Sequence, residues 1–124
     1  MTEQSPIPAP AVTGLVVKAL TAALGVHVST KKPRTVPAGR YVLVSRIGGS
    51  SGTFATADPR YLVECYGTDD LDAEEFAELV LATWRGLRTH GIVHGADDRN
   101  LVPYADPDES HSRFQFTGGV KIRL

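Results

Sequence analysis

The sequence predicts a single α+β domain in which a mostly antiparallel sheet of about five strands carries two helices on one face. Three observations lead to this prediction. Residues 68–87 are amphipathic with the period of a helix. A second apolar helix is predicted at residues 11–24, and several other segments alternate apolar and polar side chains as strands do. The length of 124 residues suits one domain with one core.

Composition narrows the classes of function. The net charge of −1 gives no general attraction to nucleic acid or to an anionic membrane. Cys65 is the only cysteine, which excludes an intrachain disulfide and favours a reducing compartment. No apolar run approaches the roughly 18 residues of a membrane span, and the N-terminus lacks the basic region of a signal peptide. We therefore expect a soluble protein that folds inside the cell.

The N-terminal part is predicted to be a flexible arm followed by a helix. Residues 1–10 are polar and contain three prolines, so we separate them from the domain at residues 11–124. The helix at 11–24 has little polar surface and ends before Gly25, which is a common stop signal. A helix of this kind is buried around most of its girth or contacts another subunit.

Three strands are predicted between the helices. A short strand spans 26–30, an apolar central strand spans 40–47, and a third strand spans 60–66. The glycine-rich stretch at 48–52 is interpreted as a mobile loop, and Asp58–Pro59 as a turn. The second and third strands are expected to pair antiparallel.

The helix at 68–87 is predicted to organise the fold. Aspartates 69, 70 and 72 suit its N-terminus because they can accept hydrogen bonds from the first turn. Leu81 lies about 140° from Phe76 around the helix and is expected to be exposed. The predicted apolar face consists of Phe76, Leu79, Val80, Thr83, Trp84 and Leu87.

The last third of the chain carries strand signals of unequal strength. Weak signals at 91–96 and 100–104 precede an acidic loop at 105–110. The clearest alternation is in the terminal strand, in which Gly118–Gly119 indicates a bulge or bend. Its predicted inward side chains are Phe114, Phe116, Val120, Ile122 and Leu124.

A search for chemistry yields no catalytic residue, cofactor or metal site. The glycine-rich stretch lacks the helix start that a phosphate loop requires. Two alternatives from other classes stay open. One is a small metal-dependent enzyme that uses the histidine- and aspartate-rich C-terminal third, with His94, Asp97, Asp98 and His111. The other is an RNA-binding module with Tyr61 and Phe114 on its sheet, which the net charge disfavours.

The order and composition of the elements resemble one known group. The chain is similar to the tail terminator (tail completion, head–tail joining) proteins of long-tailed bacteriophages. The resemblance rests on the opening helix, VPAGRYVLVSRIGG at 36–49, RYLVECYG at 60–67, DLDAEEFAELVLATWRGL at 70–87 and the terminal strand RFQFTGGVKIRL. It covers residues 12–124 and includes no catalytic signature.

The resemblance implies a structural virion protein that is assembled in the host cytoplasm. Its subunits would form a hexameric ring on the head-proximal end of the tail, end polymerisation of the major tail tube protein and contact a head-closure or neck connector protein. Viral DNA would pass through the lumen without being read. Another neck component, such as a head-closure or connector subunit, remains the alternative within this class.

Three regions are predicted to make the contacts of assembly. They are the loop at 46–53, the outer face of the central helix and the acidic loop at 105–111. The residues proposed for self-assembly or partner contact are Arg46, Gly48, Gly49, Ser50, Ser51, Leu81, Arg85, Arg88, Asp106, Asp108 and His111.

Overall fold

Two helices and six strands make up the computed structural model, which describes residues 12–50, 56–105 and 111–123. The elements are α1 (Val12–Leu24), β1 (His27–Ser29), β2 (Tyr41–Ser50), β3 (Thr56–Gly67), α2 (Asp70–Arg85), β4 (Ile92–Asp97), β5 (Val102–Pro103) and β6 (Ser112–Arg123). The predicted α+β class is confirmed, with six strands rather than five. The predicted arm at 1–10 lies outside the described residues.

One open sheet runs through the molecule in the order β1-β2-β3-β6-β4, and β5 pairs with β6 beside β4. β1 is parallel to β2, and every other pair is antiparallel. The expected antiparallel pairing of the second and third strands is therefore confirmed. A two-stranded parallel start on an antiparallel sheet is a common arrangement in α+β folds.

Both helices cover the same face of the sheet. Val16 and Leu20 of α1 and Phe76 of α2 lie in one buried cluster with Val44 and Val63 of the sheet. The opposite face carries a smaller cluster of Tyr41, Leu43 and Tyr66, with Val36 packed against it. The main core is therefore the layer between the helices and the sheet.

The helix α1 presents only one face to this core. Val12, Val16, Ala19 and Leu20 are buried, whereas Lys18, Thr21, Ala22 and Ala23 are exposed. The expectation that α1 is buried around most of its girth is therefore wrong for this chain taken singly. Gly25 ends α1 as predicted, with a φ of 67° and its N–H donating to the Thr21 carbonyl.

The helix α2 begins where the aspartates predict. Asp69 is the N-cap, and its side chain accepts a hydrogen bond of 2.8 Å from the Asp72 N–H. Asp72 in turn accepts from the Thr68 N–H and from Arg40. The bond to Asp69 satisfies a donor that the first turn of a helix leaves without a partner, and the bonds to Asp72 tie the preceding residue and Arg40 to the helix start.

The apolar face of α2 differs from the predicted face by a rotation. Its buried residues are Ala73, Phe76, Ala77, Val80, Leu81 and Trp84. Leu81 is 6% exposed and Leu79 is 50% exposed, so the expected exposure of Leu81 and burial of Leu79 are both wrong. The rotation brings Trp84 fully into the core and uses two small alanines where the helix approaches the sheet.

Trp84 fixes this rotation. Its Nε1 donates to the carbonyls of Ala96 (3.0 Å) and Gly119 (3.2 Å). A Cβ at Gly118 would lie 2.9 Å from Nε1, and one at Gly95 would lie 2.1 Å from the Trp84 carbonyl oxygen. Glycines in β4 and β6 therefore leave the space in which the helix docks.

The glycine pair in β6 is not a bulge. The pairing of β6 with β3 and with β4 runs unshifted through Gly118 and Gly119, so the predicted bulge is absent there. The register shifts instead between Arg46 and Gly48 in β2 and between Ile92 and His94 in β4. The inward alternation of Phe116, Val120 and Ile122 is confirmed, and Leu124 lies outside the described residues.

Two predicted breaks are part of the sheet. Gly48, Gly49 and Ser50 continue β2, where they pair with Arg60, Pro59 and Asp58. A Cβ at Gly49 would lie 2.4 Å from the Asp58 carbonyl oxygen, so the glycine allows the two backbones to approach. Pro59 is tolerated because the pairing of β3 with β6 passes from Ala57 to Arg60. The predicted turn at Asp58–Pro59 is wrong, and so is the predicted loop at 48–52 as far as residue 50; residues 51–52 lie outside the described residues.

The rotation of α2 can be tested with two leucines on the same helix. We expect Leu81→Ala to lower the free energy of unfolding by about 2–5 kcal/mol, because it leaves a cavity in the core. Leu79→Ala is the matched control and should change it by roughly 0.5 kcal/mol or less. Urea unfolding measures both values. Equal losses would show that the helix has a different rotation.

The docking space at Gly118 can be tested with two alanine substitutions. Gly118→Ala should destabilise the protein by about 1–3 kcal/mol, because the new Cβ meets the Ala96 carbonyl and the Trp84 ring. Gly14→Ala places the same methyl group where nothing lies within 4 Å, in the first turn of α1. It should stabilise the protein by about 0.5–1 kcal/mol. A neutral Gly118→Ala in urea unfolding would contradict this packing.

Candidate assembly surface

The distal part of β2 is an open sheet edge. β1 pairs with β2 only from Tyr41 to Leu43, so residues 44–50 pair with β3 on one side and face no strand of the described part of the chain on the other. Arg46 is exposed, and its Nε donates to the Gly48 carbonyl at 3.2 Å. Ile47 occupies the position where the register shifts and is 54% exposed. Such an edge presents unpaired backbone donors and acceptors.

The strand β4 forms the other long edge. Its inner side pairs with β6, and its outer side faces no strand among residues 12–50, 56–105 and 111–123. Val93 lies at the register shift of β4 and is 38% exposed. Each of the two edges therefore carries one irregularity with an exposed β-branched apolar side chain.

The arginines predicted for docking mainly support the end of α2. Arg85 Nε donates to Asp97 Oδ1 at 2.6 Å and ties the helix to β4. Arg88 donates to the carbonyls of Leu87 (2.7 Å) and Arg85 (3.3 Å) at the C-terminus of the helix. Cations are favourable at this end because the helix dipole is negative there. Both side chains remain exposed and available for further contact.

His111 lies at the opposite end of the sheet. Its ring packs edge-on against Tyr41 at 5.3 Å, and Tyr41 stacks on Tyr66 at 4.3 Å. Arg113 and Glu64 form an ion pair of 2.7 Å beside them, with only 12% and 14% of the two side chains exposed. Burial raises the pKa of Tyr66 despite the hydrogen bond from Arg113. These residues pack against one another on the face of the sheet that the helices do not cover.

The predicted site residues therefore fall into separate groups. Arg46, Gly48, Gly49 and Ser50 lie at the end of β2. Arg85 and Arg88 lie beside β4, and the strands β3 and β6 separate β4 from β2. Ser51, Asp106 and Asp108 lie outside the described residues. Leu81 belongs to the core and is not a surface residue.

The residues of the alternative metal enzyme do not converge. Asp97 is bound by Arg85, and Asp98 accepts hydrogen bonds from Thr117 and Arg60. His94 is an exposed residue of the β4 edge, whereas His111 lies at the other end of the sheet. Among the described residues, no group of three or more metal-ligating side chains lies together.

The structure argues against a nucleophilic cysteine and against RNA stacking on Tyr61. Cys65 is fully buried, and burial raises the pKa of its thiol, which disfavours the nucleophilic thiolate. Tyr61 lies beneath the helices, packed against Trp84, and its hydroxyl lies 3.1 Å from that of Thr13 in α1. The alternative in which Tyr61 is an exposed stacking platform for RNA is therefore wrong. None of the described helices is long and apolar enough to cross a membrane.

Comparison with known proteins shows a similarity in fold. No family model and no curated protein matches the chain. The chain resembles, in its fold, a chain of the virion of a native gene transfer agent (GTA) particle. The TM-score is 0.63 at 16% sequence identity, and the match covers 94% of this chain and 100% of that chain. At this identity the similarity establishes a shared fold over nearly the whole length of both chains.

Sequence reasoning missed the two side chains that mark the open edges. Ile47 lies inside the predicted docking loop at 46–53 but is not singled out there, and Val93 lies in none of the regions predicted for assembly, because a single apolar residue beside glycine-rich or histidine-containing sequence carries no distinctive period. The sequence carries only a weak signal for these two residues. Ile47 precedes a glycine pair and Val93 precedes His94, so both lie where regular alternation stops.

The ion pair between α2 and β4 predicts acid sensitivity. The hydrogen bond from Arg85 lowers the pKa of Asp97, although burial opposes this shift. A lowered pKa means that this stabilisation is present above the ordinary carboxyl value, about 3.9, and is lost as the pH falls through the folded value. Asp97→Asn should therefore lower the stability at pH 7 and reduce its decline between pH 4 and pH 2.

Urea unfolding at a series of pH values measures this dependence. Asp58→Asn, which changes an exposed aspartate of β3, is the control. The role assigned to the Arg85–Asp97 pair is wrong if both variants follow the pH dependence of the unmodified protein.

Proposed function

We propose that this chain is a structural subunit of a phage-like virion and that it acts as a tail terminator. The observation that carries the proposal is the fold similarity to a chain of a gene transfer agent virion, which extends over 94% of this chain and all of that one.

A tail terminator requires surfaces rather than a reaction centre. It must contact copies of itself around a ring, contact the tail tube on one side and contact a neck protein on the other. The described residues offer two open sheet edges, an exposed outer face of α2 and the exposed Arg85 and Arg88. In this proposal the chain has no catalytic role, and its location is the virion after assembly in the host cytoplasm.

The partners follow from this role. The ring, which we propose is hexameric, binds the last layer of the major tail tube protein and presents its other side to a head-closure or neck connector protein. Viral DNA passes through the lumen without sequence recognition, which agrees with a net charge of −1. The fold similarity supports another neck component equally well, so a head-closure or connector subunit is the second candidate.

The decisive experiment combines the purified full-length chain with the major tail tube protein of the same virus. We expect native mass spectrometry to detect a hexamer, either of the chain in solution or on the ends of tubes. In negative-stain electron microscopy, addition of the chain before polymerisation should shorten the tubes and leave one end capped. An equal mass of serum albumin is the control for crowding.

The two candidates predict different results in this experiment. A ring that binds the neck connector but neither binds nor shortens tubes would favour the head-closure or connector subunit. A chain that stays monomeric in solution and at tube ends, and leaves tube length unchanged, would contradict the tail terminator proposal.

A further inference from the structure

We propose that the groove lined by Arg88 and Arg123 binds a carboxylate of a partner virion protein, in an acidic segment where an apolar side chain lies beside that carboxylate. The groove has a volume of about 280 Å³, and its other lining residues are Gly91, Ile92 and Val93. The inference rests on the proposed function, because it names the kind of segment by which the subunit holds a partner. Two observations support it: the unmatched charge of the arginines and the apolar character of the remaining lining.

The backbone brings the two arginines to one groove. Arg88 follows the end of α2, and Arg123 is the last residue of β6. The Arg123 N–H donates to the Gly91 carbonyl at 2.9 Å, which joins the end of β6 to the segment between α2 and β4. The groove therefore lies where α2 ends, β4 begins and β6 ends.

The charge of this groove is not matched by an acidic side chain. Within residues 12–50, 56–105 and 111–123, Arg88 bonds only to main-chain carbonyls, and the Arg123 side chain makes no hydrogen bond or ion pair. Other arginines are paired with a carboxylate of this chain, namely Arg40, Arg60, Arg85 and Arg113. Two cations that share a groove without an acidic residue are complementary to an anion from another molecule.

Arg88 is held in place with donors to spare. Its Nη1 donates to the carbonyls of Leu87 (2.7 Å) and Arg85 (3.3 Å) at the end of α2. A guanidinium group has five N–H donors, so those on Nε and Nη2 have no partner in the described part of the chain. The two bonds already restrict the side chain, which reduces the entropy that a bound carboxylate would cost.

The remaining lining favours a protein segment over nucleic acid. Ile92 is buried in the core, and Val93 is 38% exposed at the groove. An apolar side chain of the ligand gains by burial against these residues, whereas a phosphate backbone has no such group. A volume of about 280 Å³ also admits a side chain or a chain end rather than a larger element. The net charge of −1 gives no general attraction to DNA.

Peptide binding to the isotope-labelled full chain tests the groove. The probe is a short capped peptide of alternating leucine and glutamate, and the control peptide has glutamine in place of every glutamate. We expect the glutamate peptide to shift the nuclear magnetic resonance signals of the Arg88 and Arg123 Nε–H groups and of the Val93 amide. The glutamine peptide should bind at least about tenfold more weakly, because charge-assisted hydrogen bonds are lost.

Substitutions separate the groove from general surface charge. Arg123→Gln and Arg88→Gln should each weaken binding of the glutamate peptide about fivefold or more. Lys121→Gln removes the same charge from β6, but Lys121 is exposed and lines a different cavity together with Asp58. This control should bind within about twofold of the unmodified chain. Circular dichroism melting should show that Arg123→Gln is folded, because the Arg123 side chain is exposed.

Three results would overturn the groove as a site for an acidic protein segment. The first is the absence of shifts at Arg88, Arg123 and Val93 with the glutamate peptide. The second is an equal loss of binding in Lys121→Gln and Arg123→Gln, which would indicate surface charge alone. The third is a short double-stranded DNA that binds the groove more tightly than the peptide, which would favour nucleic acid as the partner.

The same variants connect the groove to assembly. The full chain is mixed with the major tail tube protein and with the neck connector protein of the same virus, and Arg123→Gln should weaken one of these complexes while Lys121→Gln does not. Normal binding of Arg123→Gln to both would overturn the groove as a virion contact and leave the proposed function standing. An unmodified chain that binds the glutamate peptide but neither virion protein would overturn the proposed function and leave the carboxylate site standing.

Discussion

The contact between Trp84 and the sheet is the interaction on which the rest of the structure depends. Its indole N–H is shared by carbonyls from β4 and β6, and its ring meets Tyr61 and Phe116 edge-on at about 6 Å. One side chain thus joins α2 to three strands. Aromatic pairs in this geometry add to the stability gained by burial, and the hydrogen bonds satisfy a donor that burial would otherwise leave costly.

The position of α2 determines which surfaces remain open. Because the helix lies over β3 and β6, the ion pair between Arg85 and Asp97 can support the edge strand β4 from the same face. The outer side of β4 and the distal part of β2 are left uncovered in the described structure. The protein thus combines a well-packed interior with two exposed edges, which is the combination that a subunit of an assembly requires.

The sequence predicted the elements better than it predicted their orientation and limits. Capping aspartates located the start of α2, and strict alternation located β6. The rotation of α2 could not be predicted, because Leu79 and Leu81 are equally apolar. The choice between them depends on acceptors for the Trp84 N–H, which belong to residues distant in sequence. Gly48, Gly49 and Pro59 resemble loop residues, and only their pairing with one another shows that they extend β2 and β3.

The candidate surface was predictable only in part. Composition directed attention to the end of β2, which is an open edge in the described structure, and not to β4, and it assigned Leu81 to the wrong side of its helix. Sheet edges are a property of strand order, and strand order depends on long-range pairing that a single sequence does not encode in any local period.

The central claim is that Trp84 locks α2 onto the sheet, and hydrogen exchange at its indole tests this most directly. The chain contains one tryptophan, so a single indole N–H signal is expected in a nuclear magnetic resonance spectrum. We predict that this proton exchanges with solvent only through global unfolding, with the same free energy as the slowest amides of β3 and β6. Exchange much faster than that of those amides would show that the indole is released from the sheet in the folded protein, and would contradict the account.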